Sequence, residues 1–142
     1  MRHRKNTIKF NRTSSHRRCL FANMLKSLIA HGRIQTTVAK AKVLKRYADR
    51  MVTYAKQNTL SSRRRAIADL MISFNRLTPK EHRAVKKGDK SSYNTDRRVI
   101  HQLFDVIGPR FTSRQGGYTR LIKHQHRKGD SAPTCILEYL SE

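Results

Sequence analysis

The chain is one domain's length, 142 residues, and carries 32 Lys and Arg against 9 Asp and Glu, a formal net charge of +23. Such a surface repels itself unless a polyanion supplies counter-charge, so nucleic acid is the first partner class and an anionic membrane surface the second. Two cysteines in no C-x-x-C or zinc-ribbon spacing argue against a disulfide framework and for a reducing cytoplasm, and no apolar run approaches the roughly 18 residues of a membrane span.

Residues 1–13 have no apolar periodicity, and the first carboxylate of the chain is Asp49. They read as an extended basic arm, disordered in the free protein and ordered on a polyanion. Its candidate phosphate contacts are Arg2, His3, Arg4, Lys5, Lys9 and Arg12. An Arg-rich, Ser-containing, acid-free start is also the pattern of a transit peptide, whereas "CLFANMLKSLIA", broken by Asn23 and Lys26, is a poor signal-peptide core.

Thr13, Ser14 and Ser15 offer N-caps to a first helix, whose apolar face is Leu20, Phe21, Met24, Leu25, Leu28 and Ile29 and which Gly32 ends. Arg33–Val38 alternates and is β-branched, which predicts a short strand. Thr37 can cap a second helix. There Ala41, Leu44, Ala48, Met51, Val52 and Ala55 share one face, and Lys42, Lys45, Arg46 and Arg50 the other, open to solvent or to phosphate.

A third helix is expected from Ser61 or Ser62, with Ala66, Ile67, Leu70, Met71 and Phe74 inward. Arg63, Arg64 and Arg65 would then lie in its first turn. Cations are disfavoured there by a few tenths to about 1 kcal/mol each, a sign that bound phosphate would reverse. Arg63 and Arg64 are therefore candidate RNA contacts whose loss should leave the free fold unchanged or slightly steadier.

Between Asn75 and Arg98 the chain turns polar, with Thr78, Pro79 and Glu81 as N-cap, N1 and N3 of a short helix ending at Gly88 and a loop behind it. Val99, Ile100, Leu103, Phe104 and Ile107 form the next helix, stopped by Gly108 and Pro109. Two strands, about 118–127 and 133–140, close the chain as a hairpin. The reading is an α+β fold in α-β-α-α-α-β-β order. Its small three-stranded mixed sheet is covered by helices on one face and preceded by the basic arm.

Residues that could carry chemistry do not assemble in the sequence. His16, Cys19, His124, His126 and Cys135 are the best metal set, but they come from separate elements. The carboxylates form no acid and base pair, and "RQGGYTR" lacks P-loop spacing. No enzyme, metal, cofactor or small-molecule substrate is expected. Gly116 and Gly117 suggest a tight turn that lets backbone approach a partner, with Arg114, Tyr118 and Arg120 beside Gly117.

The motifs "MRHRK", "NRTSSHRR", "GPRF", "GGYTRLIK" and "GDSAP" occur in that order along nearly the whole chain. Together they resemble the L-seventeen family of bacterial large-subunit ribosomal proteins. The resemblance implies a small α/β protein on large-subunit rRNA beside neighbouring ribosomal proteins, near the mouth of the nascent-peptide tunnel, with no membrane partner. It adds Asn11, Ser15, His16, Arg17, Arg18, Arg110 and Lys123 to the expected RNA contacts. Because it begins at Met1, it argues against a cleaved transit peptide.

Two stretches depart from the family pattern. Residues 75–98 look like an insertion in the single domain 14–142, lying outside the core on a flexible loop. Lys80, Arg83, Lys86, Lys87 and Lys90 would give it an auxiliary contact with rRNA or protein, or simply a solvated surface. "KHQHRKGD" differs from the usual strand end, which puts contacts at His124 and His126 in doubt. The rival reading is a basic DNA-binding protein, with the helix pair around "AKQNTLSSRRR" imitating a helix-turn-helix.

Overall fold

One apolar stripe sets the centre of the fold. Ala41, Leu44, Ala48, Met51, Val52 and Ala55 are all buried on α2 (Val38–Gln57), the helical face that their spacing foretells. The computed structural model describes residues 8–141. The other elements, in chain order, are α1 (Ser14–His31), β1 (Arg33–Thr37), α3 (Leu60–Asp69), α4 (Pro79–Lys86), α5 (Thr95–His101), a π-helical segment (Gln102–Ile107), α6 (Gly108–Arg110), β2 (Thr119–His126) and β3 (Pro133–Tyr139).

The strands lie in the order β1-β3-β2, and both pairings are antiparallel, so the expected sheet is present but antiparallel rather than mixed. A hairpin partner and a strand from the far end of the chain enter from opposite directions, and no crossover connection forces a parallel pair. Ile34, Leu121 and Leu137 share one row, and α2 crosses β2 and β3 on the face that buries Cys135, Leu137 and Tyr139.

Helix α1 starts on Thr13, whose hydroxyl accepts from the His16 amide, and stops at Gly32 in the left-handed region (φ 74°). Helix α3 begins one residue before the expected start, because Thr59 and Ser62 form its capping box. It also ends early. Met71 has φ 51°, and Met71 and Phe74 are each 43% exposed, so neither belongs to the expected apolar face.

Gly108 differs most from expectation. It is helical (φ −53°) and stops nothing; the helix runs through it by way of the π segment. A Cβ at this position would meet the Ala55 carbonyl oxygen at 3.0 Å. Glycine here permits backbone-to-backbone approach of α6 and α2.

The segment 75–98 carries the expected capping box, with Thr78 and Glu81 bonded reciprocally, and α4 buries no residue. Its ends, however, are fastened. Arg97 donates to the Asn75 side-chain oxygen at 2.9 Å and to its carbonyl at 2.8 Å, and Asn75 donates to the Ser92 carbonyl at 2.9 Å. The final residues of the segment, from Thr95, are already the first turn of α5.

Candidate nucleic-acid interface

Near the chain start, residues 9–12 make a turn in which Phe10 and Asn11 both take positive φ, and the Arg12 amide donates to the Lys9 carbonyl at 3.2 Å. Phe10 packs edge-on against Phe21 at 5.9 Å, and Phe21 stacks on Tyr47 at 5.2 Å. This aromatic contact lays residues 9–12 onto α1 and α2, where the sequence had suggested an extended arm to residue 13. Arg2, His3, Arg4 and Lys5 lie outside the described residues.

The turn brings Arg12 to the rim of an open groove of about 490 Å³ between α1, β1 and the start of α2. His16, Asn23 and Ser27 of α1, Gln35 and Thr36 of β1, and Lys40 of α2 supply its polar wall, and no carboxylate lines it. One guanidinium nitrogen of Arg12, Nη1, is buried without a hydrogen-bond partner among the described residues. With Arg12 and Lys40 on its wall and no carboxylate, the groove is electrostatically suited to an anion.

The first turn of α2 borders the same groove through Lys40. Thr37 is its N-cap by backbone geometry but makes no side-chain capping bond, and the first turn holds no acid. Free amide donors and the positive end of the helix therefore add to Arg12 and Lys40.

The remaining expected contacts divide into exposed side chains, of which Arg114 donates to the Gly116 carbonyl at 3.1 Å, and side chains engaged across elements. Lys9, Ser15, Arg64, Arg110, Arg114 and Lys123 are exposed. Arg17 donates weakly to the Arg12 carbonyl at 3.4 Å. Arg18 instead reaches across to the Ala68 carbonyl of α3 at 3.0 Å. Arg120 is paired with Glu138 at 2.6 Å on the outer sheet face, where the two residues are register partners.

Two candidates are engaged by the packing. Tyr118 is only 3% exposed and its ring lies 5.2 Å from Phe111, so it is a core residue, although the turn at Gly117 (φ 61°) is exposed as expected. Arg63 is not a free first-turn cation. It donates to the Asn58 side-chain oxygen at 2.8 and 3.0 Å, covers the Phe104 ring at 4.5 Å and faces Asp105 at 3.9 Å. Removing it costs those contacts, contrary to the expected neutral effect. Its inward engagement also takes away the leading side chain of the helix-turn-helix imitation.

The proposed metal ligands are not gathered. Cys135 is buried under the sheet, with its thiol pushed up by that burial, while Cys19 Sγ lies 3.9 Å from Met71 Sδ on α1's side. His124 and His126 stand on the exposed end of β2. Among the described residues no three His, Cys, Asp or Glu side chains form a metal-sized cluster.

Carboxylates are largely occupied inside the molecule. Asp49 accepts from Thr119 at 3.0 Å, Asp96 from Lys26 at 3.0 Å and Asp130 from Arg127. The Arg127 guanidinium and the Ala132 amide hold Asp130 at a pKa of about 2. These acids are thus tied to particular partners, and none of them lines the groove that holds Arg12 and Lys40.

Sequence comparison adds the family context. A sequence model of the family described as ribosomal protein L17 matches residues 20–140. The chain is 67% identical over 142 residues to the large ribosomal subunit protein bL17 of Protochlamydia amoebophila, covering 100% of both chains. It is 58% identical over 142 residues to the protein of the same name from Chlamydia muridarum, again over 100% of both. With that of Chlamydia trachomatis serovar D it shares 57% over 141 residues, 99% of this chain and 100% of the relative.

Proposed function

The chain belongs to the ribosomal protein L17 family, and from that membership we propose that it is a structural, non-enzymatic component of the bacterial large ribosomal subunit that binds large-subunit rRNA. It would act in the cytoplasm beside neighbouring ribosomal proteins near the nascent-peptide tunnel exit. Its chemistry is charge neutralisation and positioning, in which each cation that meets a phosphate releases a condensed counterion.

The groove carries this reading. Arg12 presents a buried guanidinium nitrogen without an acceptor, beside Lys40 and the uncapped start of α2. Backbone phosphates in the groove would offer acceptors to the Arg12 guanidinium, to Lys40 and to the start of α2. Asn23, Ser27, Gln35 and Thr36 can then bond to ribose or base edges, the part of recognition that phosphates do not specify. Lys9, Asn11, Ser15, His16 and Arg17 extend the surface from the chain start, with Arg64, Arg110, Arg114 and Lys123 as further exposed contacts.

The test is binding of the Arg12→Gln/Lys40→Gln chain to protein-free large-subunit rRNA across a salt series. Two lost phosphate contacts should lower the slope of log affinity against log salt by about 1.5 to 2. Unchanged affinity and slope would remove the groove from the interface.

A further inference from the structure

A second basic surface lies away from the groove, on α4. Of its eight residues, Pro79, Lys80, His82, Arg83 and Lys86 are exposed, and Lys87 at the C-cap is exposed too. Glu81, Ala84 and Val85 turn the other way and are half-buried. The solvent side is therefore cationic, with no carboxylate on it.

The two acids of residues 75–94 are engaged locally. Glu81 accepts from the Thr78 amide at 2.7 Å, and Asp89 accepts from the Ser91 amide at 2.9 Å. Those backbone donors hold both carboxyls below their usual range. They stay ionised, each with one oxygen bonded to the segment's own turns. The side chains of Lys80, Arg83 and Lys87 have no hydrogen bond, ion pair or ring contact among the described residues. At positions i, i+3 and i+7 they lie on one helical face over about 10 Å.

The root of the segment gives this face a fixed stance. The Arg97 guanidinium sits over the rings of Phe74 and Tyr93 at 4.9 and 5.6 Å while bonding to Asn75. Asn94 donates to the Ser73 carbonyl at 2.7 Å. Asp96, paired with Lys26 of α1 at 2.9 Å, accepts from the Ser73 amide at 2.7 Å. A surface held this way loses less entropy on binding than a free loop.

We infer that the exposed face of α4 is a second RNA-binding surface, which clamps the phosphate backbone of an rRNA segment other than the one held in the groove. This deepens the proposed function and rests on it. Charge complementarity selects the occupant. A protein partner would need apolar area, and none of the exposed large apolar side chains among the described residues (Ile8, Leu60, Met71, Phe74, Val106, Ile122) lies between residues 75 and 98.

The experiment uses the full chain with Lys80→Gln, Arg83→Gln and Lys87→Gln combined, rebound to large subunits depleted of this protein. Its readouts are affinity across a salt series and hydroxyl-radical protection of the rRNA. The expected result is a salt slope lowered by about 2 to 3, with one patch of backbone protection lost and the rest kept. Unchanged slope and protection would make α4 a solvated face and overturn the inference. Intact rRNA protection in the variant, with Lys80 or Lys87 of the unaltered chain crosslinking to a neighbouring protein, would overturn it in favour of a protein contact. If Arg12→Gln/Lys40→Gln weakens binding while the triple variant does not, this inference alone falls. If the unaltered chain does not rebind, the ribosomal role itself falls.

Discussion

Helix α2, amphipathic in sequence, and the polar segment 75–98 are held by opposite means. Six side chains of α2 vanish into the core, whereas α4 buries none and its segment hangs on one guanidinium, two asparagines and one carboxylate. Apolar burial is additive over many contacts and tolerates no local release. A polar root concentrates its hold in a few groups, so it can fail without the body failing.

The largest effect should come from the apolar side. Leu44 is fully buried at the middle of the α2 stripe. Leu44→Ala should cost about 2 to 5 kcal/mol, through lost transfer energy and the cavity left behind. Urea unfolding read by circular dichroism would show it as a fall in the midpoint of the whole protein. A loss confined to one region would break the contrast, because α2 would not then be shared by the entire core.

On the polar side, Arg97→Ala should loosen residues 75–94 by about 1 to 3 kcal/mol, the range for lost bonds to a charged group. Limited proteolysis should report new cleavage there while the urea midpoint moves much less than for Leu44→Ala. Acid should do the same through Asp96. Burial alone would raise that carboxyl, but bonds from Lys26 and the Ser73 amide outweigh it and leave the pKa below 3.8. A depressed folded value means the stabilisation is complete above the unfolded value of about 3.9 and is lost as pH falls through the folded one. The Ser73 amide resonance should therefore hold constant from pH 7 to about 5 and shift only in stronger acid. Asp96→Asn should abolish that titration.

The same contrast explains what the sequence reveals. Periodicity exposes the α2 stripe, and local chemistry exposes the Thr13 cap, the Gly32 stop and the Thr78–Glu81 box, since each needs only neighbours within a turn. The groove was half legible. Arg12 and His16 stand out in an acid-free stretch, but Lys40, Gln35, Thr36, Asn23 and Ser27 join them only once β1 returns alongside α1. Charge is visible in sequence, and whether it is already engaged is not. Arg63 and Arg64 are adjacent letters, yet Phe104 and Asp105, forty residues on, occupy only the first. Gly108 followed by Pro109 carries the sequence signal of a helix end, and only the nearness of Ala55 shows that glycine serves as a spacer there.

The smallest expected effect tests whether the core has a polar flaw of its own. Tyr139 closes β3 beneath α2 at 7% exposure, and its hydroxyl is buried without a hydrogen-bond partner among the described residues. Burial, and then the nearby negative charge of Asp49, push its ionisation far up, so the phenol stays neutral at any working pH. Removing an unsatisfied buried hydroxyl recovers its desolvation cost and leaves the ring packing against Phe111 in place. Tyr139→Phe should therefore raise the urea midpoint slightly, by up to about 1 kcal/mol in stability, with no change in affinity for rRNA. A loss of stability would mean that the hydroxyl has a water or carboxylate partner in solution, and the core would then share the polar anchoring that marks the root of residues 75–98.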